Sequence, residues 1–443
     1  MFTGKIEIIN EFPKQSEGMA KYLDALRIII YLWSIDNKIM RINRLKLNNF
    51  RGFKNLDIYF NSRLNVFCGI NGSGKTTLLD AISMIMNHGI HRLTNPNEHK
   101  GYYPEHWMTA DDINSLSQSC EVEISYSINN SELKYKLRKG LWQNGFNYEG
   151  DEFEKFFNQL RNDLTDKTDL PVVTYYNSTK NYELPLGISE KNNIIKRYPQ
   201  LNAYVNASNK NIFSFSDFSK WWRENEDIEN EIRLRENQDF RFRELNIVRD
   251  AILSFFNLLG PDAYTDLSVL RAKPKIDKSF NFEINDGGEL FIKKNGDYIK
   301  IAQLSDGEKN LLLIVADLAS RIAQLTPSSE YPLSSAKGIV LIDEMELHLH
   351  PSWQRKVIAA LLNTFLSLQF FVTTHSEIVM LTILDAIKNV ELNNNDVKIY
   401  FLSTHNGELT ADDQNLNKFG QLKDGLSNFY LDLLTEQSTP FTL

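Results

Sequence analysis

The segment from Gly69 to Thr76 has the residue types of a phosphate-binding loop, with glycine at its first and sixth positions followed by lysine and threonine. Glycines let consecutive backbone N–H groups turn toward a phosphate. The Lys75 ammonium can reach the β and γ oxygens, and the Thr76 hydroxyl can ligate Mg²⁺. The apolar runs on either side predict a buried strand before the loop and a helix after it, whose N-terminus attracts anions. We therefore expect nucleotide contacts from Asn71, Gly72, Ser73, Gly74, Lys75, Thr76 and Thr77.

Two acidic residues follow a second apolar run, Gly338 to Ile342, which has the character of a buried parallel strand. Carboxylates at the carboxyl tip of such a strand lie beside bound phosphates. Asp343 suits the Mg²⁺ shell, through water, and Glu344 suits the polarisation of the attacking water. A purely structural role for the pair is the weaker alternative, because adjacent acids repel each other unless a cation is near.

Two more polar motifs belong to the same series. Ser305 and Gly307 stand just before an apolar helix predicted over Leu311 to Ala323, and such a helix start can bind an anion. Alone, this motif indicates only a capped helix. His375 follows the apolar run that begins at Phe370 and can hydrogen bond a γ-phosphate, although a single histidine at a strand end is more often structural. The order of the motifs along the chain favours a shared nucleotide site.

A different chemistry is suggested by His348 and His350, whose spacing resembles half of a zinc site. No third ligand at suitable spacing is visible, so a turn that contacts a partner subunit is the favoured interpretation. The two cysteines, Cys68 and Cys120, are typical of a reducing cytoplasm and provide no metal cluster.

Bulk properties narrow the class of protein. The chain has 443 residues, of which 42% are hydrophobic and 24% charged, which allows two or three globular units. Its formal net charge of -8 argues against a molecule that attracts DNA over its whole surface. The best candidate for a membrane span, the apolar run Ile28 to Trp33, is too short to cross a membrane and lacks the features of a secretory signal. We expect a cytoplasmic protein that makes no membrane contact.

The remaining elements are predicted from periodicity. Strand alternation begins at Met40, which we take as a domain start, and a hairpin is predicted over Val122 to Leu137. A helix is expected over Asp151 to Leu164, and a buried strand over Leu170 to Tyr176. The charged stretch from Phe215 to Phe256 predicts helices, either a solvated pair packed on the sheet or a docking surface. Turn residues at Asp286-Gly287-Gly288 and at Asn295-Gly296 predict a three-stranded meander.

Taken in order, these motifs resemble those of ABC-type ATPase heads of the SMC/RecF/OLD branch. The matching segments are Met40 to Phe53, the phosphate-binding loop, the signature motif Leu304 to Lys309, Ile342-Asp343-Glu344, the D-loop Leu347 to Pro351, and Thr373 to Ser376. Within this branch the chain is similar to the PtuA-like ATPases of bacterial anti-phage systems of the Septu and retron-associated kinds. That likeness rests on Leu170 to Tyr176 and on the charged helical stretch after Trp221.

The resemblance implies an α/β fold: a head with a mixed, mainly parallel core sheet, an antiparallel β-subdomain and a helical insertion. It implies four parts: an extension at 1–39, an N-terminal lobe at 40–140, a mostly helical insertion at 141–270 and a C-terminal lobe at 271–443. It implies Mg²⁺-dependent ATP hydrolysis between two heads, with the signature residues Ser305, Gly307 and Glu308 facing the other copy's nucleotide. Arg51 would lie near the nucleotide, whereas no glutamine of the usual Q-loop can be assigned.

PtuA-like proteins act with a separate HNH nuclease, so the resemblance implies such a partner, with contact to DNA or RNA left open. Relatives of the OLD kind carry a TOPRIM nuclease after the head, but the residues after His375 show no such acidic pattern. We therefore expect an ATP-hydrolysing sensor or regulator. The alternatives are a RecF-like DNA-repair ATPase, a scaffold that binds ATP without turnover and, least favoured, a transporter motor.

Overall fold

A computed structural model describes 40–94, 108–128, 131–143, 145–177, 197–204, 215–260, 262, 264–272, 284–347, 349–388, 396–405 and 408–413. The extension predicted at 1–39 lies outside these ranges, as does His348.

Fourteen strands and nine α-helices are present in the described residues. The strands are β1 (Met40–Phe50), β2 (Phe53–Tyr59), β3 (Leu64–Cys68), β4 (Ser119–Ile128), β5 (Ser131–Gly140), β6 (Asn147–Glu149), β7 (Val172–Tyr176), β8 (Tyr264–Ala272), β9 (Ile284–Lys294), β10 (Asp297–Lys300), β11 (Gly338–Ile342), β12 (Leu368–Thr374), β13 (Val397–His405) and β14 (Glu408–Asp413). The helices are α1 (Lys75–Thr94), α2 (Asp151–Asn162), α3 (Phe215–Arg235), α4 (Arg243–Leu259), α5 (Asp306–Leu325), α6 (Pro332–Ser335), α7 (Pro351–Gln354), α8 (Val357–Thr364) and α9 (Glu377–Lys388).

The core is a six-stranded sheet in the order β14-β13-β3-β12-β11-β7. All neighbours in it run parallel except the edge pair of β13 and β14. Strands β3, β7, β11 and β12 are buried along their whole length, as expected for a parallel sheet covered on both faces. Because β12 lies between β3 and β11, the loops that follow these three strands meet at one edge of the sheet.

A second sheet, antiparallel and five-stranded, has the order β2-β1-β4-β5-β6. The predicted hairpin is confirmed, since Ile128 of β4 pairs with Ser131 of β5, and its two connecting residues lie outside the described ranges. A buried glutamine of β12 joins the two sheets: Gln369 Nε2 donates to the carbonyl oxygen of Ile42 at 2.8 Å, and Ile42 N donates back to Gln369 Oε1 at 2.9 Å. This pairing satisfies polar groups that burial would otherwise leave unpaired.

A three-stranded sheet in the order β10-β9-β8 is present, and it confirms the second hairpin of the predicted meander but not the first. Asn295 and Gly296 connect β9 to β10 with φ of 52° and 93°, as a two-residue hairpin turn requires. The turn predicted at Asp286-Gly287-Gly288 is wrong, because β9 continues through these residues. The register with β8 shifts between Leu270 and Ala272, so the glycines lie in an irregular part of the strand pairing and not at a chain reversal.

Helices α3 and α4 confirm the helical stretch and are joined by buried acids. Glu229 accepts from Phe242 N at 2.7 Å and pairs with Arg249 at 3.1 Å. Glu226 accepts from Val269 N at 2.7 Å and so ties α3 to β8. The insertion predicted at 141–270 also contains β7, which is a strand of the core sheet. The boundaries of the four predicted parts stay a prediction. Among the described residues, no helix is both long and apolar enough to span a bilayer.

The first residue of β11, Gly338, lies so close to β7 that there is no room for a side chain. Gly338 has φ of 152°, and a Cβ there would lie 1.9 Å from the carbonyl oxygen of Val172 in β7. We expect Gly338→Ala to lower the free energy of unfolding by at least about 2 kcal/mol, since backbone cannot move aside as a side chain can. Urea denaturation measures this loss.

Gly296→Ala is the matched control for Gly338→Ala. Its φ is also positive, at 93°, but nothing lies within 4 Å of its added Cβ. It should cost about 1 to 2 kcal/mol from backbone conformation alone. Equal losses in the two variants would show that the contact between β11 and β7 is not the cause.

Candidate functional site

The phosphate-binding loop joins β3 to α1 and takes a shape that only glycine permits at several positions. Gly69, Gly72 and Gly74 have φ of 155°, 82° and 91°. A Cβ on Gly74 would meet the Phe53 ring at 2.8 Å, whereas one on Gly72 would meet nothing within 4 Å. The Ser73 hydroxyl is buried with no hydrogen-bond partner among the described residues. A turn with open space above Gly72 and an unpaired buried hydroxyl fits an anionic oxygen ligand.

Lys75 begins α1 and is only 6% exposed. Its ammonium donates to the carbonyl oxygens of Gly69 at 2.9 Å and Ile70 at 2.8 Å, so the loop's own backbone holds it. Burial lowers the pKa of Lys75, and the nearby carboxylates of Glu344 and Asp343 act in the opposite direction. The acids that the sequence placed at the end of β11 therefore favour the charged form of Lys75.

Asp343, which directly follows β11, connects the start of α1 to the end of β12. Its Oδ2 accepts from the Thr76 hydroxyl at 3.0 Å, and its Oδ1 accepts from the Thr373 hydroxyl at 2.5 Å. The two predicted Mg²⁺ ligands, one hydroxyl and one carboxylate, are thus in direct contact, and both are hard oxygen donors suited to that ion. Asp343 is 5% exposed, which strengthens these charge-assisted hydrogen bonds.

Glu344 has an unusual backbone, with φ of 50°, in the left-handed region. A residue with a Cβ pays roughly 1 to 2 kcal/mol there. The Glu344 N–H donates to Thr373 Oγ1 at 2.8 Å, which holds the turn in place. Within the described residues its carboxylate makes no hydrogen bond or ion pair. The strained turn therefore presents a carboxylate that is not tied to another side chain of the described residues and that influences the charge of Lys75, and its action on water stays a prediction.

His375 lies on the turn after β12 and is held by an acid that sequence reasoning missed. Its backbone N–H and its Nδ1 lie 2.7 Å and 2.9 Å from Glu346 Oε1. The Glu346 side chain is 3% exposed, whereas that of His375 is 45% exposed. In the sequence, Glu346 could have been noticed as a single acid between two apolar residues, Met345 and Leu347, just after Glu344.

The signature residues lie at the start of α5, as predicted, and form a capping box. Glu308 Oε2 accepts from Ser305 N and from Ser305 Oγ, both at 2.9 Å, and the Lys294 ammonium lies 3.2 Å from Glu308 Oε1. Both carboxylate oxygens of Glu308 are thus engaged within the chain. No hydrogen bond or ion pair among the described residues joins Ser305, Gly307 or Glu308 to the phosphate-binding loop. Their contact with nucleotide remains a prediction.

A cavity of about 260 Å³ lies between this helix start and the turn that continues from Glu344. It is lined by Asp262, Lys294, Ser305, Gly307, Glu308, Leu349, His350, Ser352 and Trp353. His350, considered above for zinc, has its Nδ1 2.8 Å from the Ser352 hydroxyl at the start of α7. No group of three or more potential metal-ligating His, Cys, Asp or Glu residues occurs in the part of the chain that the structure describes.

Arg51, predicted to lie near the nucleotide, is held by two acids that the sequence analysis did not single out. It pairs with Asp80 at 2.5 Å and with Asp112 at 2.9 Å, and the Tyr175 hydroxyl donates to Asp80 at 3.1 Å. Burial disfavours the charged form of Arg51, but the carboxylates of Asp80 and Asp112 favour it more strongly, so the pKa of Arg51 is raised. The signal for Asp80 was an acid inside the apolar helix α1. The place of Arg51 relative to a nucleotide stays a prediction.

Curated relatives resemble the chain over most of its length. The retron Vc95 probable ATPase of Vibrio cholerae serotype O1 biovar El Tor is 29% identical over 388 residues, covering 79% of this chain and 73% of that protein. The Septu protein PtuA of Bacillus thuringiensis is 22% identical over 341 residues, covering 76% and 72%. These matches agree with the sequence-based resemblance to the Septu and retron-associated group.

Among solved structures, an SMC head bound to the C-winged helix domain of ScpA aligns with a TM-score of 0.48 and 16% identity. It covers 85% of this chain and 98% of that one. A family profile described as "AAA domain, putative AbiEii toxin, Type IV TA system" matches residues 64–381, a span that contains the phosphate-binding loop, Asp343, Glu344 and His375. The chain belongs to this AAA-domain family.

Proposed function

We propose that this protein is a Mg²⁺-dependent ATPase that regulates a defence system of the retron or Septu kind. The observation that carries the proposal is the meeting of the phosphate-binding loop with Asp343 at the edge of the core sheet, where the Thr76 hydroxyl is 3.0 Å from the carboxylate. Such an edge is where α/β proteins bind nucleotides. The names of the relatives, a retron probable ATPase and a Septu protein, support the same activity and setting.

Each residue has a part that follows from its position. The backbone N–H groups of the loop and the Lys75 ammonium would bind the phosphates of ATP, and Thr76 with Asp343 would hold the metal. When bound, Mg²⁺ would neutralise charge on the phosphate oxygens. Glu344 would accept a hydrogen bond from the attacking water and orient it, and His375 would contact the terminal phosphate.

The second part of the proposal concerns assembly. The start of α5 has no hydrogen bond or ion pair to the phosphate-binding loop within the described residues, although both are anion-binding features. Two copies facing each other would bring Ser305 and Gly307 of one copy to the nucleotide of the other. ATP would then favour the dimer because it contacts both copies, and hydrolysis would release it. We infer that this cycle controls a separate HNH-type nuclease.

Phosphate binding is tested first by Lys75→Ala. We expect ATP affinity to fall at least about tenfold, or about 1.4 kcal/mol, since the variant loses the ammonium that faces the phosphates. Isothermal titration calorimetry with ATP and Mg²⁺ measures the change. Lys167→Ala, at an exposed position, is the control and should bind as the wild type does. Unchanged affinity in Lys75→Ala would place the nucleotide elsewhere.

Turnover and assembly are tested together by Glu344→Gln. The variant should bind ATP, release phosphate at least about 100-fold more slowly, and accumulate as a dimer, because the amide is a far weaker base toward water. Phosphate release and light scattering after size exclusion give the two readouts. Glu236→Gln, exposed at the end of α3, is the control.

Two outcomes would contradict the proposal for Glu344. If the variant with ATP has the same mass as the nucleotide-free protein, the sandwich of two copies is wrong. If the wild-type protein binds ATP but releases no phosphate, the protein is a scaffold that carries nucleotide and not an enzyme.

A further inference from the structure

We propose that Glu346 is a positioning residue for His375, which fixes the tautomer of the imidazole and the edge that faces the nucleotide. Glu346 lies in the turn after β11, and His375 lies in the turn after the neighbouring strand β12. One oxygen, Glu346 Oε1, accepts from the backbone N–H of His375 at 2.7 Å and lies 2.9 Å from its Nδ1. This inference rests on the proposed ATPase function and assigns a role to a residue outside the predicted site.

The contact between Glu346 and Nδ1 determines which nitrogen of the His375 ring is left to contact a ligand. A neutral imidazole carries one N–H, and a carboxylate at Nδ1 stabilises the tautomer with the proton there. Nε2 lies on the opposite edge of the ring. Because the Glu346 side chain is 3% exposed and that of His375 is 45% exposed, the Nδ1 edge faces the protein interior. Nε2 is therefore the nitrogen left to contact a phosphate oxygen or the water near Glu344.

The cost of burying Glu346 shows that it does more than fill space. The second oxygen, Oε2, is buried without a hydrogen-bond partner among the described residues. Both polar contacts of Oε1, the hydrogen bond from the backbone N–H and the contact with Nδ1, are with His375. A buried carboxylate with half of its acceptors unpaired is destabilising relative to an apolar side chain of similar size. A turn that needed only packing would be more stable with such a side chain.

Glu346 also connects His375 to the turn that would face a second copy. The carbonyl oxygen of Glu346 accepts from Leu349 N at 3.0 Å, so the residue belongs to the same turn that leads to His350. A shift of this turn would move the Glu346 carboxylate and, with it, the imidazole. Contact with the partner copy would thereby set the position of Nε2 in the nucleotide site.

The kinetic test compares Glu346→Met, which keeps side-chain size but removes the acceptor, with Glu346→Gln, which keeps an acceptor. We expect kcat for ATP hydrolysis to fall at least about tenfold in the Met variant with KM changed by less than about twofold, and the Gln variant to recover most of the rate. Glu377→Gln is the matched control. It removes an exposed acid that is two residues from His375 and should leave kcat unchanged.

A double variant separates positioning from an independent effect. If Glu346 acts through the imidazole, adding Glu346→Met to His375→Ala should change kcat by less than about twofold. If adding Glu346→Met to His375→Ala lowers kcat by the same factor as it does in the wild type, the proposal is overturned. A wild-type kcat in Glu346→Met alone would also overturn it.

A second readout needs no nucleotide. Labelling the histidines with ¹⁵N allows NMR to report which ring nitrogen carries the proton, and the His375 signal among the eight histidines is the one lost in His375→Ala. We expect a protonated Nδ1 in the wild type and a shift toward the Nε2–H tautomer in Glu346→Met. An unprotonated Nδ1 in the wild type would overturn the proposal. If this assignment holds but the wild type hydrolyses no ATP, the proposed function fails and the positioning stands.

Discussion

The hydrogen bonds that meet at Asp343 hold the candidate site together. One carboxylate accepts from the hydroxyl of Thr76, at the start of α1, and from that of Thr373, near the end of β12. At 5% exposure these bonds act in a medium of low dielectric, where charge-assisted contacts are strong and their loss is costly. The turn at Glu344 depends on the same cluster, because Thr373 also accepts the Glu344 N–H.

The second constraint is the concentration of like charge around that cluster. Asp343, Glu344 and Glu346 lie within four residues of each other, and Lys75 is the cation that all three influence. Burial disfavours the charge of Lys75, and the acids restore part of it. Such an arrangement is electrostatically incomplete by itself, since three carboxylates influence a single ammonium. A metal ion together with polyanionic phosphates would complete it, which agrees with the ligands inferred from the phosphate-binding loop.

Much of the fold follows from local sequence. Apolar runs locate β3, β11 and β12 to within two residues, and the start of α5 is found from the polar residues before an apolar helix. The wrong turn at Asp286-Gly287-Gly288 shows the limit of this reasoning. Adjacent glycines are compatible with a chain reversal and with an irregular stretch inside a strand, and only pairing with β8 distinguishes the two. The place of β7 beside β11 is not visible in the sequence, whereas the capping role of Glu308 could have been inferred from its spacing to Ser305.

By itself the sequence located the loop from Gly69 to Thr76 and the acids and histidine near it, because each is a short motif recognised by residue type and spacing. The tertiary structure decided which distant groups restrain them: Glu346 on His375, and Asp80 and Asp112 on Arg51. These pairs are separated by tens of residues in the chain, and they meet only because strand order and the packing of α1 bring them together. Periodicity within one segment contains no information about such contacts, whereas a buried charge must find its partner wherever the fold places it.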